Sequence, residues 1–396
     1  MASLENRGHG SWRVTISNGY DAQGHKKFLK RTVHVDPTKT EFAQRREAEK
    51  EAAKIDADYQ RHLLTDGKKI RLSALAEEYL TAKDIDNTTK DGYRTLLNGR
   101  ILPALGKMYV QDITPRDIQK FYLSLKTEKA RSGRSKTGTL SGTTQLHYHR
   151  CLHAILTYAV RNSIITVNPA TAVEPPKKDT KEAAFYELED CAKLLDVLDR
   201  LTDLKWRLFF YLCIITGCRP GEIIALNWSD IEGNVLYIRA GSKRVEGHHG
   251  AVRKEKTKTL KSNRKITLTE DIMQLLYQYK KDQAEYRLKF GADWPEPDAI
   301  FTGELGYRLD ISTPTQKFQK ILNQYHLKPI TLYGLRHTAA SILIKQHVDP
   351  REVAARMGHS RTSTTLDIYA HVFQQADAEA TATIDDALKK ARRKAE

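Results

Sequence analysis

The chain has 396 residues, with 65 Lys and Arg against 49 Asp and Glu, a formal charge of +16. That length exceeds one ordinary core, so two or three domains are expected, and 40% hydrophobic with 29% charged residues excludes both a disordered chain and an integral membrane protein. The excess of cations points to a polyanionic partner, because each Lys or Arg that neutralises a phosphate releases condensed counterions, and charge alone does not separate DNA from RNA.

No stretch approaches ~18 consecutive apolar residues, and the start, MASLENRGHGSW, lacks a hydrophobic signal core, so neither a membrane nor secretion is expected. Cys151, Cys191, Cys213 and Cys218 form no C-x-x-C pair and no zinc spacing. They read as buried thiols of a reducing cytoplasm, with no metal site.

In chain order, Ser11–Ser17 and Lys26–Val35 alternate in the strand period around a turn-rich stretch, and from Thr40 to about Leu64 the composition turns helical. Residues 1–66 are thus expected to form a small three-stranded sheet plus a helix. Arg13, Lys26, Lys27, Lys30 and Arg31 lie on or beside its strands. Residues 70–176 read as all-helical: Ser73 opens one helix, Asn87 caps a second, Thr114-Pro115 starts a third and Thr143–Arg161 is a fourth. Between the last two lies a loop rich in Lys and Arg, with Arg131, Arg134 and Lys136 in it. A Pro-Pro-Lys-Lys stretch makes 177–183 the linker. Residues 184–396 read as a mixed, mainly helical domain with a small antiparallel sheet. Helical periodicity runs from Glu187 to Ile215 and from Glu222 to Leu226. Strands follow near Val235–Ala240, Val252–Thr257 and Arg264–Thr269, and helices return from Asp271 to a Lys/Arg-rich tail.

Four stretches of this last segment stand out by residue type. Thr216-Gly217-Cys218-Arg219-Pro220-Gly221-Glu222 sets an Arg on a tight turn with a carboxylate close by. Lys256-Thr257-Lys258-Thr259-Leu260-Lys261-Ser262-Asn263-Arg264 is a basic turn between two strands. Then come Leu332-Tyr333-Gly334-Leu335-Arg336-His337-Thr338, and Met357-Gly358-His359-Ser360 followed by Tyr369. In type, order and spacing these boxes resemble the catalytic motifs of the tyrosine recombinase, or phage integrase, family. The helical segment is similar to that family's core-binding domain. The N-terminal module resembles the arm-binding domain of integrases of temperate phages and conjugative transposons.

The resemblance implies a site-specific DNA recombinase that integrates and excises a mobile element through a 3′-phosphotyrosyl intermediate and a Holliday junction. Chemically, two guanidiniums converging on one phosphate stabilise the charge of the transition state by bidentate hydrogen bonds, the role assigned to Arg219 and Arg336. Tyr369 is the expected nucleophile, and with a phenol pKa near 10 it needs help in losing its proton. A Lys at a strand turn supplies the leaving oxygen with a proton; Lys258 fits that place and Lys261 is its alternative. Tyr333 stands where the family usually has His, which moves any general-base role toward His359, with His337 structural. The simpler readings are an Arg219–Glu222 ion pair, a surface Arg336 and a core aromatic at Tyr369.

Exchange of one phosphodiester for another needs neither cofactor nor metal. The expected partners are double-stranded DNA at core-type and arm-type sites and three further copies of the chain in a tetramer. An accessory directionality or bending factor is compatible with this. DNA contacts are assigned to Arg13, Lys26, Lys27, Lys30, Arg131, Arg134, Lys136 and Lys261. The expected location is the cytoplasm of a bacterium, at the nucleoid. The alternatives are a catalytically impaired DNA-binding regulator of the same fold, a Xer-like resolvase, a type IB topoisomerase, and an RNA-binding protein, the last of which explains the charge but not the boxes.

Overall fold

The computed structural model describes residues 3–20, 25–60, 69–127, 139–179, 184–245, 247–255, 263–359, 366, 384–385 and 388–393. Contacts divide the chain into two units, Met1–Lys181 and Glu182–Glu396, and its apolar cores are separate clusters.

The first core belongs to a small sheet. Strands β1 (Ser3–Asn6), β2 (Ser11–Tyr20) and β3 (Lys26–His34) pair antiparallel in that order. The alternation of β2 buries Trp12, Val14 and Ile16 against Leu29 and Val33 of β3 and against Ala48 and Ala52 of helix α1 (Glu41–Gln60). On the other face of β2, Thr15 stands opposite Lys30, and Arg13 opposite Thr32 and Glu5. Strand β1 carries no strand-period signal of its own and is recruited by pairing with β2.

The second core is helical: α2 (Leu72–Ala82), α3 (Asn87–Leu96), α4 (Leu102–Leu105), α5 (Pro115–Thr127) and α6 (Gly142–Arg161). The cap of α3 is Asp86, whose carboxylate accepts from the Thr88 amide, and not Asn87 as expected. Helices α3 and α4 are joined by a π turn over Leu97–Ile101. Pro103 has no N–H to give the carbonyl four residues back, and a wider turn absorbs the gap. Leu152, Ile155 and Leu156 of α6 meet Leu72, Leu75 and Tyr79 of α2 and Ile118 and Phe121 of α5 in the interior.

The third core draws on α7 (Leu188–Asp199), α8 (Leu204–Thr216), α9 (Pro220–Ile224), α10 (Glu270–Leu288), α11 (Thr313–Gln324) and α12 (Leu332–Lys345), while Val353 and Met357 of α13 (Pro350–Met357) form a small cluster of their own with Ala339, Ala340 and Ile344 of α12. The helix expected to run unbroken from Glu187 to Ile215 is two helices, because Asp203 turns its carboxylate onto the Lys205 amide and starts α8 afresh. Helix α8 is apolar nearly all round and sits among α7, α10 and α12, as such a helix must. Phe209 and Phe210 on it pack against Phe301 and Phe318.

Two small sheets replace the single one expected. Strands β4 (Ile231–Glu232), β5 (Val235–Ile238) and β8 (Arg264–Thr267) form one, while β6 (Ala240–Arg244) and β7 (Ala251–Glu255) form the other, all antiparallel. Ile238 faces Arg264 and Ala240 faces Glu255. One residue separates those positions on the outgoing strand and eight on the return. The strands on either side of the basic segment do not pair with each other: β7 pairs with β6 and β8 with β5. Lys258 and Lys261 lie in 256–262, outside the described residues.

Candidate active site

Three of the four boxes meet at the ends of α8 and α13 and the first turns of α9 and α12. Helix α8 stops at Gly217, in the left-handed region at φ 62°, and α13 stops at Gly358, φ 65°. At α13 the amides of Gly358 and His359 donate to the carbonyls of Ala355 and Ala354, closing the helix and fixing where His359 leaves it. A Cβ on Gly217 would fall 2.5 Å from the Met357 methyl, so the two helix ends touch because one residue has no side chain.

Arg336, in the first turns of α12, is 2% exposed and fills the space between those ends. Its Nη1 donates to Gly217 O at 2.8 Å and its Nη2 to Met357 O at 2.5 Å. Both acceptors are terminal helix carbonyls, where the helix dipole favours a cation. No carboxylate pairs with Arg336 among the described residues. Among the described residues two of its five N–H groups are used, and Glu222 offsets its charge only through space. Burial, and then the neighbouring Arg219, lower its pKa. The surface-arginine reading is thereby excluded.

Arg219 caps α9. Its backbone amide donates to Glu222 Oε2 at 3.1 Å, its Nη1 to Glu222 Oε1 at 3.0 Å, and its Nη2 to Gly358 O at 3.4 Å. The ion pair of the simpler reading is thus present, and it does not exhaust the residue, whose side chain remains 39% exposed. Glu222 is itself shared: the Nη2 of Arg264, at the start of β8, donates to its Oε2 at 2.6 Å and to Cys218 Sγ at 3.2 Å. Burial raises the pKa of Cys218, which therefore stays a thiol, and all four cysteines are free and buried.

His359 is half-buried, and burial followed by the charges of Arg336 and Arg219 brings its pKa down to about 4. It is therefore neutral near pH 7. Tyr333 lies at the open side, 42% exposed. Its ring stands 6.0 Å from the Arg336 guanidinium carbon and edge-on to His337, centroids 5.4 Å apart. Burial, then Arg336, lowers the pKa of His337 as well. The structure thus brings Arg219, Arg336, His359 and Tyr333 together. Tyr369, Lys258, Lys261, Arg131, Arg134 and Lys136 lie outside the described residues, as does the side chain of Lys27. Lys26 and Lys30 are exposed on β3, and Arg13 lies 3.8 Å from Glu5.

Sequence reasoning missed Arg264 as a member of the site, although the signal existed. In Arg264-Lys265-Ile266-Thr267 the buried phase of the strand belongs to Ile266, and period two puts Arg264 on the same side. It also passed over Arg356, whose Nη2 donates to Ile215 O at 2.9 Å from beneath. Arg219 and Arg264 thus share the Glu222 carboxylate, which Arg336 feels through space, and the cluster carries an excess of positive charge that suits an anion. Among the described residues no group of His, Cys, Asp and Glu is placed to hold a metal ion.

Comparison with known proteins gives that arrangement its class. Residues 185–376 match the Phage integrase family and residues 71–126 the Phage integrase, N-terminal SAM-like domain, together more than half of the chain. The ICEBs1 integrase of Bacillus subtilis (strain 168) is 26% identical over 98% of this chain and 100% of its own length. A tyrosine recombinase XerC-like protein of Caldanaerobacter subterraneus subsp. tengcongensis is 29% identical over 59% of this chain and 64% of its own. Among solved structures, a fragment of the Tn1549 transposon integrase in complex with a circular intermediate DNA superposes with a TM-score of 0.64 at 20% identity, covering 79% of this chain and 99% of the fragment. A lambda integrase tetramer bound to a Holliday junction gives 0.55 at 18% identity, covering 91% and 96%.

The fold is that of the tyrosine recombinases, a SAM-like helical domain followed by a mainly helical catalytic domain with small antiparallel sheets. The chain belongs to the phage integrase family of tyrosine recombinases, enzymes that cleave and rejoin DNA strands at specific sites.

Proposed function

We propose that this chain integrates and excises a mobile element, with Tyr369 as nucleophile on a scissile phosphate bound between Arg219 and Arg336. The observation that carries the reading is the Arg336 guanidinium, buried between two helix C-termini with no carboxylate paired to it among the described residues and with Arg219 beside it. A phosphodiester supplies the missing negative charge, and as Tyr369 attacks, charge builds on the nonbridging oxygens that the two guanidiniums face. Neutral His359 accepts the phenol proton or donates to a nonbridging oxygen. Tyr333, beside Arg336, offers a neutral O–H donor in place of an imidazole. Lys258, with Lys261 as alternative, protonates the departing 5′ oxygen. The phosphodiester is exchanged for a 3′-phosphotyrosyl bond, and the freed 5′-hydroxyl of the partner strand later reverses the exchange, so the reaction consumes no cofactor.

Residues 1–66 are assigned to arm-type DNA, where the open face of β2 and β3 presents Arg13, Thr15 and Lys30 to a major groove. Residues 70–176 are the core-binding domain, 177–183 the linker and 184–396 the catalytic domain. Arg131, Arg134, Lys136, Lys26 and Lys27 contact phosphate backbone. The assembly is a tetramer on two duplexes, in keeping with the lambda integrase tetramer on a Holliday junction.

The test is a core-site duplex nicked just beyond the scissile phosphate, which traps the covalent complex. Wild type is expected to give a protein–DNA adduct on a denaturing gel and Tyr369→Phe none. An adduct that persists in Tyr369→Phe would remove Tyr369 from the reaction.

A further inference from the structure

Arg219 and Glu222 form a pair that by itself works against catalysis. A carboxylate that closes both oxygens onto one guanidinium cancels the charge that a phosphate would use. Here that closure is prevented. Arg264, with its side chain 7% exposed, takes Glu222 Oε2 at 2.6 Å through Nη2, leaving Oε1 to Arg219 Nη1. Arg219 Nη2 is thereby turned toward the Gly358 carbonyl, at a long 3.4 Å, which a phosphate oxygen can displace.

Resting on the arginine clamp proposed above, we propose that Arg264 is a positioning residue that holds Glu222 off Arg219 and so keeps Arg219 a net cation toward the scissile phosphate. Three further features support it. The Nε and Nη1 of Arg264 are buried and have no hydrogen-bond partner, so the residue has been placed at the expense of its own solvation. Its guanidinium lies against Gly358, where a Cβ would fall 2.8 Å from Nη1, so the turn that carries His359 leaves no room for the guanidinium to withdraw. Its Nη2 also rests on Cys218 Sγ, directly before Arg219, which fixes its distance from the α9 cap.

The experiment is single-turnover cleavage of the nicked core duplex by the full chain, alongside DNA affinity and thermal melting, for Arg264→Gln, Glu222→Gln and the double variant, with Arg219→Ala as reference. Gln at 222 still accepts the Arg219 amide but carries no charge to draw Arg219 away. Arg264→Gln is expected to slow cleavage about 100-fold, the scale of one misdirected charged donor, with DNA affinity within about twofold, since most phosphate contacts lie elsewhere. Glu222→Gln slows it by less, roughly 10-fold, and the double variant returns to the Glu222→Gln rate because Arg264 acts only through that carboxylate.

A merely structural arginine predicts the opposite, a double variant slower than either single one. That result overturns the proposal, as does an Arg264→Gln rate equal to wild type. Should Arg264→Gln fail to melt cooperatively, the comparison of the double variant with Glu222→Gln decides alone, because both charges then leave together. Wild-type cleavage by Arg219→Ala would sink the clamp and this inference with it. Loss of cleavage in Arg219→Ala without recovery in the double variant sinks only the role of Arg264.

Discussion

At the residue scale, His359 faces Arg336, Arg219, His337 and Arg264, and burial with these charges holds its pKa near 4. An unfolded histidine titrates near 6.5. Between those two values the unfolded chain binds a proton that the folded chain refuses, so stability falls as pH drops from about 6.5 toward 4 and changes little above. Urea unfolding of wild type at pH 7 and pH 5 is therefore expected to show a loss on the acid side. His359→Asn should shrink that loss without abolishing it, because burial lowers the pKa of His337 and His149 as well. An identical acid-side loss in the variant would mean that His359 titrates normally. In the proposed reaction the same shift makes His359 a neutral imidazole at pH 7, whereas a charged one would only add to the arginines.

At the element scale, α9 is five residues long and carries the Arg219 cap, too short a helix to hold itself in place. It is held at its far end. Arg308, 4% exposed, donates through Nη1 to the carbonyls of Ile224 and Leu226, both at 3.1 Å, and through Nη2 to Asn227 Oδ1. Arg253 of β7 donates to Ala225 O at 2.7 Å and grips Asp230 with both Nη atoms. Arg308→Met removes the caps from two buried carbonyls and leaves Glu296 without the Nε it faces at 2.7 Å. Breaking a buried pair from one side costs about 3 kcal/mol or more, a loss that chemical denaturation reads directly. A change below about 0.5 kcal/mol, the range of ordinary surface substitutions, would show that α9 is held without Arg308.

None of this support was legible in the chain, while the boxes it supports were. Arg219, Arg336 and His359 stand out because guanidiniums and imidazoles next to glycines at fixed spacing are rare. The strand period of β2 and the apolar run of α8 are similarly local signals. Arg308 and Arg253 look like any solvated arginine until the chain has folded. The division of the strands into two sheets is hidden for a related reason. Alternation marks β5, β7 and β8 but not β6, and only pairing reveals that β6 takes β7 into a second sheet. Asp203 has the residue type of a helix cap but lies inside an apolar periodicity that runs on past it.

At the scale of the whole molecule, the charge of +16 is unevenly placed. Residues 1–66 hold twelve Lys and Arg against ten Asp and Glu, so almost the entire excess belongs to the rest of the chain. The core of the small sheet, around Trp12, Val14 and Ile16, is separate from the helical core around Leu152 and Ile155. A chain starting at residue 67 is therefore expected to keep its fold and nearly all its electrostatic affinity. The slope of log affinity against log salt counts neutralised phosphates, and on core-site duplex it should change by less than about one unit. Adduct formation on the nicked core duplex should persist. Binding to arm-type DNA, and recombination that needs it, should disappear, since the pattern of Arg13, Thr15 and Lys30 is lost with the sheet. If the truncated chain fails to cleave the core site, or its salt slope collapses, then residues 1–66 are a general DNA clamp and the arm-type assignment fails.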